Sequence, residues 1–211
     1  MHAGNVSRLG TVALTGIATF VLTSLLAQFL RPDLDWVRVP NSFYLICPYG
    51  WLVQAGYIAM SVALILLAVG GYVALSLPAR SAAPALLFVI GGVALTATAV
   101  MHTDVPGRPP ALEGYVHGVV AQTAFLCTTV AMLLQAWRLR GDARWRRWFK
   151  PAFIYAAICF VSMWVQAFWR ELPRGASQKA LIVLIAAWLI LAAYRLRRGP
   201  DSMRTPLQYF P

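Results

Sequence analysis

Six stretches of this chain are long, apolar and free of charge in their interiors, and they constrain its fold more than any other feature. They cover residues 9–30, 51–77, 81–102, 115–137, 151–169 and 179–195. A hydrocarbon core about 30 Å thick is crossed by about 20 apolar residues of helix. The first five stretches contain no Asp, Glu, Lys or Arg. The sixth is bounded by Lys179 and Arg195, whose apolar stems let the charged heads snorkel outward. Backbone in lipid has to satisfy its own hydrogen bonds, which leaves helices or closed barrels. Barrel strands alternate apolar and polar residues over about ten positions, and these unbroken runs do not. The expected fold is therefore all-α, a polytopic transmembrane bundle of six helices forming a single integral membrane domain over residues 1–211.

Composition agrees. Hydrophobic residues make up 60% of the chain and charged residues 12%, against roughly 25% charged in an ordinary soluble domain. The longest gap between runs, residues 31–50, is too short for a soluble domain. The first run exceeds the roughly 7–15 apolar residues of a secretory signal and lacks an A-x-A cleavage site, so it reads as a retained helix.

Lys and Arg are retained on the cytoplasmic side of a membrane, so their distribution over alternate loops predicts orientation. Twelve of the 18 basic residues fall on the side holding both termini, Arg80 and the 138–150 loop. The other side carries Arg31, Arg38, Arg108, Arg170, Arg174 and Lys179, together with five of the seven acids. Both termini are thus expected in the cytoplasm of a cell carrying the chain in its inner membrane. The net charge of +11 is concentrated in "RLRGDARWRRWFK" from Arg138. Its alternation of Arg and Trp between two spans fits a segment held to anionic headgroups, with Trp145 and Trp148 in the interfacial belt, and not a nucleic-acid site. The expected partners are the lipid bilayer and those headgroups.

Three cysteines provide no disulfide framework. Cys127 and Cys159 lie near the middle of spans, as small buried hydrophobes do, and Cys47 stands alone on the outer side. A stripe of Thr11, Thr15, Thr19 and Thr23 along the first span reads as helix packing.

Polar side chains inside spans are costly and usually turn inward. Gln28, Gln54 and Gln166 lie close to the outer ends of spans one, two and five, and Gln122 lies roughly 10 Å inside span four. His102 closes span three and His117 opens span four. Together these predict a polar cavity facing outward, with Gln135 apart at the inner end. Helical spacing places His117, Ala121, Thr128 and Gln135 near one face of span four, with Gln122 turned about 100° from it. Asp104, two residues from His102, or Glu113, four before His117, can orient or charge an imidazole.

An "RPD" after span one, Ser42 ahead of "PYGW", then "HTD", a proline-rich loop and "HG" opening span four together resemble a family. It is the six-span bacterial integral membrane proteins of domain-of-unknown-function family 998. The likeness covers most of the chain. Its most specific piece is Asp104 with His117-Gly118, and Met101 and His102 depart from the family's pattern. The resemblance implies no activity, but it adds Ser42 to the residues facing the cavity and centres the site on Asp104 and His117. Alkaline ceramidases and progestin-receptor-like proteins are more distantly similar, and this chain lacks their HxxxH pair.

Two functions follow as expectations. The first is binding or transport of a lipid or small amphiphile, with Gln28, Gln54, Gln122, Gln166 and Ser42 contacting it. The second is an intramembrane zinc-dependent hydrolase acting on a lipid or amide. There His102, Asp104 and His117 would hold the metal, and the catalytic candidates are Asp104, His117 and Glu113.

Overall fold

The computed structural model describes residues 3–46, 48–104 and 109–199. The described residues form six long helices and no strand: α1 (Ala3–Leu30), α2 (Gly50–Ala74), α3 (Ala82–Val100), α4 (Leu112–Leu139), α5 (Phe149–Phe168) and α6 (Arg174–Arg198). All six are long and apolar enough to cross a membrane. Cys47, Arg108 and the tail from Pro200 lie outside the described residues.

Helix ends move from the expected boundaries where local chemistry intervenes. Leu75 turns extended (φ −82°, ψ 152°), and Pro78 sits in a short 3-10 turn at Leu77–Ala79, so α2 stops before residue 77. Met101 is extended (φ −86°, ψ 133°), which leaves His102 beyond the end of α3. At both ends α4 outruns its apolar stretch, with Glu113 in its first turn and Arg138 in its last. Those charges suit the positive and negative ends of the helix dipole.

The helices close into a ring. Each packs against the next in sequence, α6 returns to α1, and α2 also reaches α6 across the interior. Glycine permits the tightest approaches: a Cβ on Gly16 would collide with the Ala59 carbonyl of α2, and one on Gly10 with the α6 backbone at Ala193 and Arg197. Small residues here replace the hydrophobic drive that lipid removes. The threonine stripe behaves differently from the expectation of packing. The hydroxyls of Thr11, Thr15, Thr19 and Thr23 donate to the carbonyls four residues before them. Thr11 and Thr15 are exposed, while Thr23 meets α2 at Gly56.

At one end of the ring, here the basic end, arginines tie the loops together. Arg138 donates to the carbonyls of Ala79 (2.7 Å) and Arg80 (3.2 Å), Arg144 to that of Ala74 (2.9 Å), and Arg80 to those of Leu75 and Val73. The bonds to Val73, Ala74 and Leu75 satisfy carbonyls that the end of α2 leaves without helical partners, and those to Ala79 and Arg80 hold the following turn. Asp142 lies buried among them, accepting from the Ser76 N–H (2.7 Å) and from Arg144 (2.9 Å). Part of the basic run is therefore consumed in holding the fold. At the opposite end, here the histidine end, residues 31–46 lie against α6: Gly175 and Ala176 donate to Arg38 and Val37, and the Lys179 ammonium to the carbonyls of Trp36 and Val39, both at 2.8 Å.

Candidate ligand cavity

The ring encloses an axial cavity of about 80 Å³ in its histidine half. α1 contributes Phe20, α2 Tyr57 and Met60, α3 Thr98, α4 Ala121 and Thr128, and α6 Gln178 and Ile182. Ser42 lines it from the 3-10 turn at Asn41–Leu45. Its walls are apolar, and Ser42, Gln178 and Tyr57 place polar groups toward the histidine end.

A buried polar cluster stands behind that end. Asn41 donates from its side chain to Ser24 Oγ (3.3 Å) and the Tyr57 hydroxyl (3.2 Å), and its backbone N–H donates to Gln178 Oε1 (2.8 Å). In this way one residue joins α1, α2 and α6. Beside it Tyr44 is buried beneath the Lys179 ammonium, 5.4 Å from its ring centre. Burial pushes the Tyr44 phenol above its ordinary pKa, and its hydroxyl has no acceptor among the described residues.

The inward face of α4 is the one that helical spacing predicts. His117 is buried, and Ala121 and Thr128 line the cavity. Gln122 is exposed on the outside of the ring. The other glutamines are spread out as well: Gln28 donates back to Ser24 of its own helix, Gln54 ties α2 to the Ala99 carbonyl of α3 (3.2 Å), and Gln166 lies half-buried on α5. Of the five residues expected to contact a ligand, Ser42 is the one lining the cavity. Gln178 went unnoticed because Lys179 marks the edge of the sixth apolar stretch, whereas α6 begins at Arg174.

The histidines and acids pair otherwise than their spacing suggests. His102 is exposed, and Glu113 accepts from its backbone N–H and meets its Nδ1, both at 2.7 Å. His117 Nδ1 donates to the Met101 carbonyl at 2.8 Å, fixing that ring between α3 and α4. Asp104 accepts from the Ala111 N–H at 3.0 Å, at the start of α4, and a Cβ on Gly114 would collide with its carboxylate. Asp104 therefore serves as a latch on the N-terminus of α4, where a negative charge suits the dipole. Among the described residues no three His, Cys, Asp or Glu side chains are placed to hold a metal ion. The zinc reading, which needs three protein ligands, has no ligand set in the arrangement of His102, Asp104 and His117.

Six apolar helices closed into a ring around an axial cavity define an integral membrane bundle. The family model described as protein of unknown function (DUF998) matches residues 14–195, and the chain belongs to that family. Comparison with curated proteins and with solved structures gives no match.

Proposed function

We propose that this protein binds a lipid or small amphiphile in the axial cavity and passes it across, or holds it within, its membrane. The carrying observation is the cavity itself, apolar along the ring axis with Ser42, Gln178 and Tyr57 gathered toward one end. The walls suit an apolar group and that cluster suits hydrogen-bonding groups of the ligand's polar end; at about 80 Å³ the cavity takes the end of a chain and not its whole length. By the distribution of basic residues, the basic end and both termini face the cytoplasm of the cell membrane. Gln54 supports the site by tying α2 to α3.

Native mass spectrometry of the full chain released from detergent tests this reading. Wild type is expected to retain a lipid or amphiphile, and Ala121→Leu, which fills the cavity, to lose at least about tenfold of it while melting normally. Gln122→Ala, on the outside of the ring, leaves retention unchanged. Wild-type protein carrying no lipid beyond bulk exchange would end the proposal.

A further inference from the structure

The basic half of the ring holds a second, larger cavity of about 220 Å³, to which the first assigns no role. One turn of α2, from Leu64 to Leu67, and the adjacent pair Trp188 and Leu189 on α6 separate the two. We propose that this second cavity is a binding site for an anionic phospholipid of the surrounding bilayer, with one acyl chain inside and the phosphate at the basic mouth.

Three observations carry this. The first is apolar shape: Leu67, Phe88, Ala152 and Trp188 line the interior, and an apolar void of the order of 150 Å³ already takes up benzene. The second is access from the bilayer. Leu191 lines the cavity yet is 53% exposed on the outside of the ring, and Pro151 lines it and is exposed as well, so the seam between α5 and α6 connects it to lipid. Those helices meet more sparsely than the other sequence neighbours.

The third is the chemistry of the mouth. The Arg195 guanidinium lines it, stacked 3.5 Å from the centre of the Trp148 ring. Trp145 and Trp148 line it too, and both of their indole N–H groups are buried without an acceptor among the described residues. Trp145 is only 4% exposed. The Trp188 N–H, by contrast, donates to the Ala152 carbonyl at 3.0 Å. A buried N–H without a partner is costly, and two such donors beside a cation call for an anion rich in acceptor oxygens. Exposed Arg140, Arg146 and Lys150 at the same end draw anionic headgroups toward the mouth. This site stands independently of the amphiphile reading of the first cavity.

The test is lipid retention by the full chain in nanodiscs of phosphatidylglycerol or phosphatidylcholine, read by native mass spectrometry after transfer to detergent. Phosphatidylglycerol is expected to be retained at least about tenfold better. Ala192→Leu, which fills the cavity and keeps every charge, and Arg195→Gln each abolish that preference, whereas Arg195→Lys keeps most of it. Arg174→Gln, exposed at the opposite, histidine end, changes it less than twofold. Should Arg195→Gln fail to fold, Ala192→Leu still decides the matter.

Equal retention of the two lipids overturns the proposal, as does a preference that survives Ala192→Leu. Lipid binding that appears only after residues 200–211 are deleted also overturns it, because the chain's own tail is then the occupant. Glycerol phosphate competing as well as intact lipid reduces the mouth to a simple anion site and overturns it too. Ala121→Leu, which tests the first cavity, leaves the phosphatidylglycerol preference intact, so the two readings fail separately.

Discussion

Asp142 shows how much one side chain contributes at the basic end. Burial drives its carboxyl upward, but the Arg144 guanidinium and the N–H groups of Ser76 and Arg144 outweigh that and hold its pKa down at about 2. A carboxyl whose folded pKa lies below its unfolded value stabilises the fold above the unfolded value, near 3.8, and ceases to do so as pH falls through about 2. The contribution is about 2 kcal/mol at neutral pH. Thermal melts followed by tryptophan fluorescence are expected to show the wild type losing this increment between pH 5 and pH 2, as a rough window. Asp142→Asn starts less stable at pH 7 and shows a flatter dependence in that window. An identical slope in both proteins would remove Asp142 from the account. The carboxylate and Arg144 two residues on were visible in the sequence, but the Ser76 N–H was not, because Ser76 lies on a different loop.

At the scale of elements, the interior of each helix was legible and its ends were less so. Hydropathy reads the apolar interior, whereas a helix ends where backbone bonding ends. Met101 breaks α3 one turn past Ala97, and His102 then hangs from a loop, free to meet Glu113. The hydrogen-bonded helix α4 begins at Leu112, ahead of its apolar run, which is why Glu113 reaches across to His102 while His117 faces inward toward Met101. Packing between elements depends on glycines whose meaning becomes visible only in a neighbour's presence. Gly16 faces the Ala59 carbonyl with no room for a side chain. Gly16→Leu is therefore expected to push α1 from α2 and lower stability by about 1–3 kcal/mol. Thr15→Val on the exposed stripe changes stability by less than about 0.5 kcal/mol. Melting the two variants beside the wild type checks both, and a harmless Gly16→Leu would refute the tight α1–α2 contact.

For the whole molecule, ring closure decides what the polar residues do. Four glutamines near one membrane face suggested one shared cavity, yet a helix has an outside as well as an inside. Gln122 points away from the ring, and Gln28 and Gln54 bond to backbone. The cluster at Asn41 draws from α1, α2 and α6, so no single stretch of sequence displays it. Orientation is a property of the whole chain and has its own test. In a background with the native cysteines replaced, a cysteine at Tyr49 is expected to react with an impermeant thiol reagent added outside intact cells. One at Arg147 reacts only after the membrane is opened. The reverse pattern would invert the assigned topology and place the arginine-lined mouth outside the cell.

The sequence by itself determined the class of protein. Runs of this length without charge belong in a membrane, and backbone bonding there leaves helices once the unbroken apolar pattern excludes barrel strands, so six spans and the inward face of α4 could be read from hydropathy and a 3.6-residue period. Tertiary structure alone decided which polar groups meet. It gave Asp104 to Ala111, Glu113 to His102 and the Met101 carbonyl to His117, leaving the three expected metal ligands apart. It also created two cavities along the ring axis, which no single helix possesses. Spacing along a chain fixes the face on which a residue lies, but the choice among hydrogen-bond partners from different helices is made only when the ring closes.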